Sequence, residues 1–483
     1  MIDLRPIAAV LGVLIAILGT AMLIPAVIDL AAGARDFAVF VAASAVTVFV
    51  GLSLWLAGRS GGVEQLNVRQ AFLLTTASWL LLSAFAAIPF MWAETRLSFT
   101  DAYFEAMSGL TTTGATVISG LDTRSRGILL WRALLHWYGG IGIIVFAIAF
   151  LPMLQVGGMQ LFRAESSDRS EKILPRAAQM AKGILGTYLL LSLACAIAYA
   201  LCGMSTFDAV AHAMSTISTG GFSTHDASLG YFKSPAVDYT AVVFMLAGSL
   251  PFLLYVRVLA GDFSRLVANT EVRLFFIIVA LATLISFAEQ VLGGIGRGEA
   301  ALRNALFNVV SLISTTGFVS ADYTSWGPPT DTLYFLLTFL GACTGSTAGG
   351  LKTFRLAIVG SALVQHFKRI VYANGVFPVR YGGAPIGEAV VGSVLSFVCL
   401  YLASFAVLAV TINALGLDLA SAFSAAITCL ANVGPGIGPL VGPATNFAAL
   451  PESVIWVLSF GMLLGRLELF TVLVLFLPRF WAR

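Results

Sequence analysis

Long apolar runs without a charge alternate along this chain with shorter stretches that are apolar on one helical face only, and each short stretch ends in a polar segment containing glycine. A helix needs about 20 apolar residues to cross a bilayer core of about 30 Å. The runs 7–28 and 37–56 meet that length and are separated by a short turn, which predicts a helical hairpin. After it one pattern comes four times: long run, short amphipathic helix, polar loop, long run. The first copy is 72–92, 99–111, 112–119 and 133–154, with Thr100 or Asp101 expected as N-cap of the short helix. The second is 183–202, 206–218, 219–224 and 239–256. The third is 274–292, 299–314, 315–320 and 333–348, and the last is 389–415, 418–431, 432–438 and 453–478. The expected fold is an all-α integral membrane protein with ten crossings and four re-entrant segments. Its expected units are a hairpin (1–64) and pore repeats at 65–158, 159–262, 263–370 and 371–483.

The polar loops align without gaps on Gly114, Gly221, Gly317 and Gly434, roughly 100 residues apart. Six places before each glycine stands Ser108, Ser215, Ser311 or Thr428, and four places before it Leu110, Ile217, Ile313 or Leu430. Asp101, Asp208, Asn304 and Ser421 also share one position. Non-helical backbone facing lipid would leave N–H and C=O groups unpaired, so such loops must line water or be buried in protein. Four of them can share one lining around a common axis. Close helix packing through small residues is the simpler alternative, but it does not explain the Thr-Gly chemistry or the regular phase.

Composition fits this picture. Hydrophobic residues make up 59% and charged residues 11% of 483, far below the charge of a soluble chain. So apolar a chain takes lipid as its surroundings, and a net charge of +3 is too small to suggest nucleic acid as a partner. Cys195, Cys202, Cys343, Cys399 and Cys429 form no CxxC pair, and the histidines show no ligand spacing. No nucleophile motif points to an enzyme, and His136 and His212 read as packed polar residues. The N-terminus lacks a cationic region followed by a cleavage site, so the first run is expected to stay as an anchor. Lys and Arg concentrate in segments such as 163–182 and 352–380, which places both termini in the cytoplasm and lets the loops dip from outside.

A glycine-containing loop entered from a short helix presents backbone carbonyls, and rings of carbonyls replace the hydration shell of a monovalent cation. The negative ends of the short helices face the same point. A calcium or magnesium site would want carboxylates, which these loops lack. Thr112-Thr113-Gly114, Thr219-Gly220-Gly221-Phe222, Thr315-Thr316-Gly317-Phe318 and Asn432-Val433-Gly434-Pro435-Gly436 resemble the four filters of the Trk/Ktr/HKT superfamily of potassium transporters. The N-terminal hairpin, the run WRALLHWYGG at 131–140 and GGMQLFRAE at 157–165 resemble its TrkH branch. The resemblance implies potassium selectivity, with Gly114 where sodium-preferring members carry Ser. It also implies a homodimer in the bacterial inner membrane and a cytoplasmic TrkA-type nucleotide-binding regulator. No cofactor is expected on the chain itself, with nucleotide held only by that regulator. A coupled secondary transporter of a small solute or a sodium-coupled symporter is the alternative, although the four copies share one orientation rather than forming inverted halves.

Two gate candidates lie outside the loops. One helix over 331–367 would be about 55 Å long, too long for a simple crossing. Its middle, 341–350, is built of small residues including Gly341, Gly345, Ser346, Thr347, Gly349 and Gly350, with Lys352 just beyond. Each glycine weakens a helix by about 1 kcal/mol, so a break is expected there. The resemblance makes this a gating loop; tight helix packing is the other reading. Arg466 is expected mid-span, where a charge costs at least about 2.5 kcal/mol and turns to a cavity or partner. It reads as a positive charge in the pore below the filter, with Glu468 a poor helical partner for it.

Overall fold

The computed structural model describes residues 3–59, 66–149, 173–259, 261–372 and 374–482, so 163–172 and the run 157–165 lie outside it. The described chain is helical apart from one short antiparallel pair, Arg380–Tyr381 with Ala384–Pro385. The hairpin is Arg5–Ala21 with Leu23–Ala31, packed on Phe37–Gly58. These helices approach backbone to backbone, because a Cβ at Gly12 would sit 2.4 Å from Trp55 N. The buried Asp29 carboxylate accepts from Gly127 N at 2.6 Å and ties the hairpin to the first repeat.

Among the described residues six helices are long and apolar enough to cross a membrane, and two bent pairs raise this to eight. Arg126–Ala149 and the split pair Pro328–Thr338 with Thr353–Val371 supply the remaining expected crossings. The bent pairs correct the expectation of continuous runs. Pro235–Ser249 turns by 95° into Phe252–Leu259 at Pro251, which has no N–H to continue the helix. Glu452–Arg466 turns by 109° into Phe470–Phe476, through Glu468 at φ 59° and Leu469 at φ 47°. Second helices therefore break in three repeats, where the sequence pattern predicted one.

The short helices are Phe99–Leu110, Thr206–Ile217, Gly298–Ile313 and Leu419–Ala431. Their N-caps are Ser98, Ser205 and Asp418, whose side chains accept from the backbone N–H of Asp101, Asp208 and Ser421. Ser98 thus takes the place expected of Thr100 or Asp101, because the cap is the residue three before the N–H it satisfies. The third helix starts earlier, so Asn304 lies inside it and Arg297 makes no side-chain cap.

Candidate functional site

All four short helices end in the same way. Thr112, Thr219, Thr315 and Asn432 are left-handed, with φ of 52°, 53°, 56° and 57°. Their N–H groups bond to Gly109, Thr216, Leu312 and Cys429 carbonyls, and the next N–H bonds to Ser108, Ser215, Ser311 or Thr428 at 2.8–2.9 Å. This is the Schellman closure. It explains why a Ser or Thr stands six places before each glycine only in part, since the backbone carbonyl does the work. The hydroxyls act in two repeats: Ser311 donates to Phe318 O at 2.6 Å and Thr428 to Pro435 O at 2.9 Å. Threonine is unusual at a left-handed position, which strains the chain by roughly 1–3 kcal/mol.

Two residues on, the backbone is left-handed again, at Gly114, Gly221, Gly317 and Gly434. These glycines close a ring. A Cβ on Gly114 would lie 2.2 Å from Gly220 O, one on Gly221 2.0 Å from Thr316 O, one on Gly317 1.9 Å from Val433 O, and one on Gly434 2.6 Å from Thr113 O. Each repeat thus leans on the carbonyl of the next, and the fourth leans on the first. Asn432 Nδ2 also donates to Thr113 Oγ1 at 2.9 Å across the last seam.

Beneath this ring lies residues 339–352. The segment leaves and returns at one point, with Gly341 N donating to Leu351 O at 2.9 Å. Gly345 and Gly350 take φ of 73° and 65°. Thr347 Oγ1 reaches Ile217 O at 3.0 Å and Gly248 O at 3.1 Å, and Thr219 Oγ1 lies 3.2 Å from it. Gly349 N donates to Thr315 Oγ1 at 2.7 Å, and a Cβ on Gly349 would meet Ala431 O at 2.4 Å. The segment therefore touches the feet of loops two, three and four. Ser346 Oγ turns back to Cys343 O, and the Lys352 ammonium bonds to Ala348 O.

Arg466 stands at the break of the bent pair Glu452–Arg466 and Phe470–Phe476. It ends the helix Glu452–Arg466, where its charge meets the negative helix terminus at the break. Its Nη1 donates to the Thr347 carbonyl at 2.9 Å and Nη2 to Gly139 O at 3.3 Å. The acceptor on the loop is a backbone oxygen, while the hydroxyls of Thr344, Ser346 and Thr347 bond elsewhere. A cavity of about 40 Å³ beside this contact is lined by Gly345, Ser346, Gly349 and Gly350 of the loop together with Lys352, Arg466 and Glu468.

Sequence reasoning missed three buried ionic groups. Glu271 accepts from Thr344 N at 2.7 Å, Thr344 Oγ1 at 2.9 Å and Phe354 N at 3.1 Å, so it ties the inside of the segment to the helix Thr353–Val371 that follows it. Glu468 pairs with Arg355 rather than Arg466. Behind loops one and two, Arg132 Nε meets Glu105 Oε1 at 2.7 Å, and its Nη1 donates to Ser223 O at 2.7 Å. Glu105 also accepts from Val117 N and Thr116 Oγ1. The signal available was an ionisable residue within or beside an apolar segment. Beyond the filter-like turns of loops one and two, Asp122 bonds to His225. Burial works to raise the Asp122 carboxyl, but the bonds from His225 and Asp226 N outweigh it and hold it below its ordinary range.

Helical crossings surrounding four re-entrant loops that meet at one ring define a pore-loop membrane transport protein rather than an enzyme. The TrkH family, described as cation transport protein, matches residues 37–482. The Trk system potassium uptake protein TrkI of Halomonas elongata is 42% identical, covering 99% of this chain and 97% of its own. TrkH of Escherichia coli K12 is 38% identical over 99% of both chains. The crystal structure of the potassium transporter TrkH from Vibrio parahaemolyticus superposes with a TM-score of 0.92 at 37% identity, covering all of both chains. The chain belongs to the TrkH family of cation transport proteins.

The Glu105–Arg132 pair is buried, with side chains 0% and 1% exposed. Removing one partner leaves the other charge buried and unpaired, which costs about 3–5 kcal/mol. Glu105→Ala should therefore lower the thermal midpoint of detergent-solubilised protein markedly. The double variant Glu105→Ala, Arg132→Ala should fall by less than the sum of the singles, and additive losses would show that the two residues act separately.

Proposed function

We propose that this protein takes up potassium across the bacterial inner membrane through a filter made of Thr112, Thr113, Gly114, Thr219, Gly220, Gly221, Thr315, Thr316, Gly317, Asn432, Val433 and Gly434. The observation that carries the reading is the closed contact of four glycines with four carbonyls. An uncharged carbonyl ring suits a monovalent cation that must bind and leave again. The relatives named as potassium uptake proteins point to the same ion. In this reading potassium is the substrate and both termini face the cytoplasm. A Cβ at Gly114 meets Gly220 O at 2.2 Å, so Gly114→Ser has to push the ring apart. Potassium and sodium flux into liposomes should then show a reduced preference for potassium. An unchanged permeability ratio would sink the filter assignment.

The gate in this reading is the segment beneath the filter, with Gly341, Gly345, Ser346, Thr347, Gly349, Gly350 and Lys352, latched by Arg466. Charge-assisted bonds of the Arg466–Thr347 kind contribute about 1.5–3 kcal/mol. Arg466→Ala, and deletion within 345–350, should each raise potassium flux in the same liposomes while preserving selectivity. If the two form one latch, the double variant gains much less than the sum. Flux at or below that of the native protein in Arg466→Ala removes the barrier role.

A homodimer working with a cytoplasmic TrkA-type nucleotide-binding protein completes the proposal. The basic segments 163–182 and 352–380 are the docking candidates. Reversing the charges of Arg163, Arg169 and Lys172 should reduce recovery of such a protein in pull-downs from detergent solution. Equal recovery would rule out the first segment.

A further inference from the structure

Gly220 is the odd member of its set. The equivalent positions in the other three loops carry side chains: Thr113, Thr316 and Val433. Backbone conformation does not demand glycine there, since Gly220 is not left-handed while Gly221 beside it is, at φ 86°. What excludes a side chain is His136. A Cβ on Gly220 would fall 1.3 Å from His136 Nδ1, 2.3 Å from Cε1 and 2.4 Å from Cγ. The imidazole occupies the volume that a residue at 220 would fill.

His136 is fully buried, and neither ring nitrogen has a hydrogen-bond partner among the described residues. Its action is therefore one of shape. The ring packs on Phe222, just past the filter glycine, with centroids 4.1 Å apart. Arg132, one helical turn earlier, lies 4.0 Å from the centre of the same Phe222 ring and bonds to Ser223 O. One turn later a Cβ on Gly139 would meet Leu110 O at 2.0 Å, so the same helix presses on the foot of loop one. The helix Arg126–Ala149 braces loop two from behind, and His136 is its contact with the ring residue.

We infer that His136 is a specificity-determining positioning residue: its imidazole replaces the side chain missing at Gly220 and holds the Gly220 carbonyl in register with Gly114. The inference rests on the filter reading. It assigns the two residues as a complementary pair, so the pair should be exchangeable.

The test uses full-length protein in liposomes, with potassium and sodium flux measured for each variant and monodisperse elution from detergent as the control for folding. Gly220→Ala alone should abolish or strongly reduce uptake. Adding His136→Ala should restore uptake with potassium preference near that of the native protein, and Gly220→Thr with His136→Ala, which recreates the Thr-Thr-Gly of loops one and three, should do the same. His136→Ala alone should conduct with a several-fold lower preference for potassium. Native-like uptake by Gly220→Ala, a double variant no better than Gly220→Ala, or native selectivity in His136→Ala would each overturn the pairing. Gly317→Ala, remote in sequence from His136 and adding a Cβ that would lie 1.9 Å from Val433 O, separates the two levels. If it leaves selectivity unchanged, the filter reading itself fails. If it lowers selectivity while the His136 arms do not respond, only the pairing falls.

Discussion

Everything in this molecule depends on bringing four non-helical turns to one axis inside a hydrocarbon layer. Such backbone survives there only when every polar group is paired within protein or faces the pore. The Schellman closures meet part of that demand, because each left-handed residue and its successor return their N–H groups to the helix just ended. The ring meets another part, since each glycine lets the neighbouring carbonyl approach to a distance that no Cβ would allow. Strain at Thr112, Thr219, Thr315 and Asn432 is thereby over-determined by contacts on both sides. The surrounding helices shield this polar centre from lipid.

Fourfold likeness ends just below the ring. Loop 339–352 spans three of the four feet, and its anchors come from unlike sources: a hydroxyl of loop three, carbonyls of repeat two, the Glu271 carboxylate and the Arg466 guanidinium. A symmetric set of continuous helices would leave no backbone free to make such a floor. The breaks at Pro251 and at Glu468–Leu469 supply the complementary shape, for Phe252 N reaches Gly345 O at 2.9 Å and the helix that ends at Arg466 brings its guanidinium to Thr347 O. Asymmetry below and symmetry above are thus two aspects of one packing arrangement.

The ring register was legible because its demands are local. A turn that needs a left-handed residue, one further residue and a left-handed glycine writes itself into sequence at fixed spacing, and four copies made the spacing visible. The break at 339–352 was legible for the same reason, since clustered glycines oppose a helix. What could not be read was set by distant partners. Glu271 stands at the start of an apolar run, and the loop that it binds lies more than seventy residues on, beyond the reach of any local pattern. The end of the helix at Arg466 was hidden because the apolar run continues through a break made by left-handed Glu468 and Leu469, residues with no sequence mark of that conformation. Gly220 passed as one more filter glycine, and only the position of His136 shows that its reason differs from that of Gly221.

The strength of the Arg466 contact bears on what such a floor can do. Its Nη1 bond is short and charge-assisted, but the Nη2 bond is 3.3 Å and Nε has no partner among the described residues. A buried guanidinium with five donors so incompletely paired is held less firmly than burial alone suggests. The acceptors belong to two different elements, Thr347 of the floor and Gly139 of the helix Arg126–Ala149. Arg355, by contrast, pairs with the Glu468 carboxylate and lies 3.6 Å from the centre of the Phe397 ring. On the proposed reading, a movement that opens the floor gives up the Arg466–Thr347 bond together with the bonds from Gly349 N to Thr315, from Thr347 Oγ1 to Ile217 and Gly248, and from Phe252 N to Gly345, while the Arg355–Glu468 pair lies outside that set.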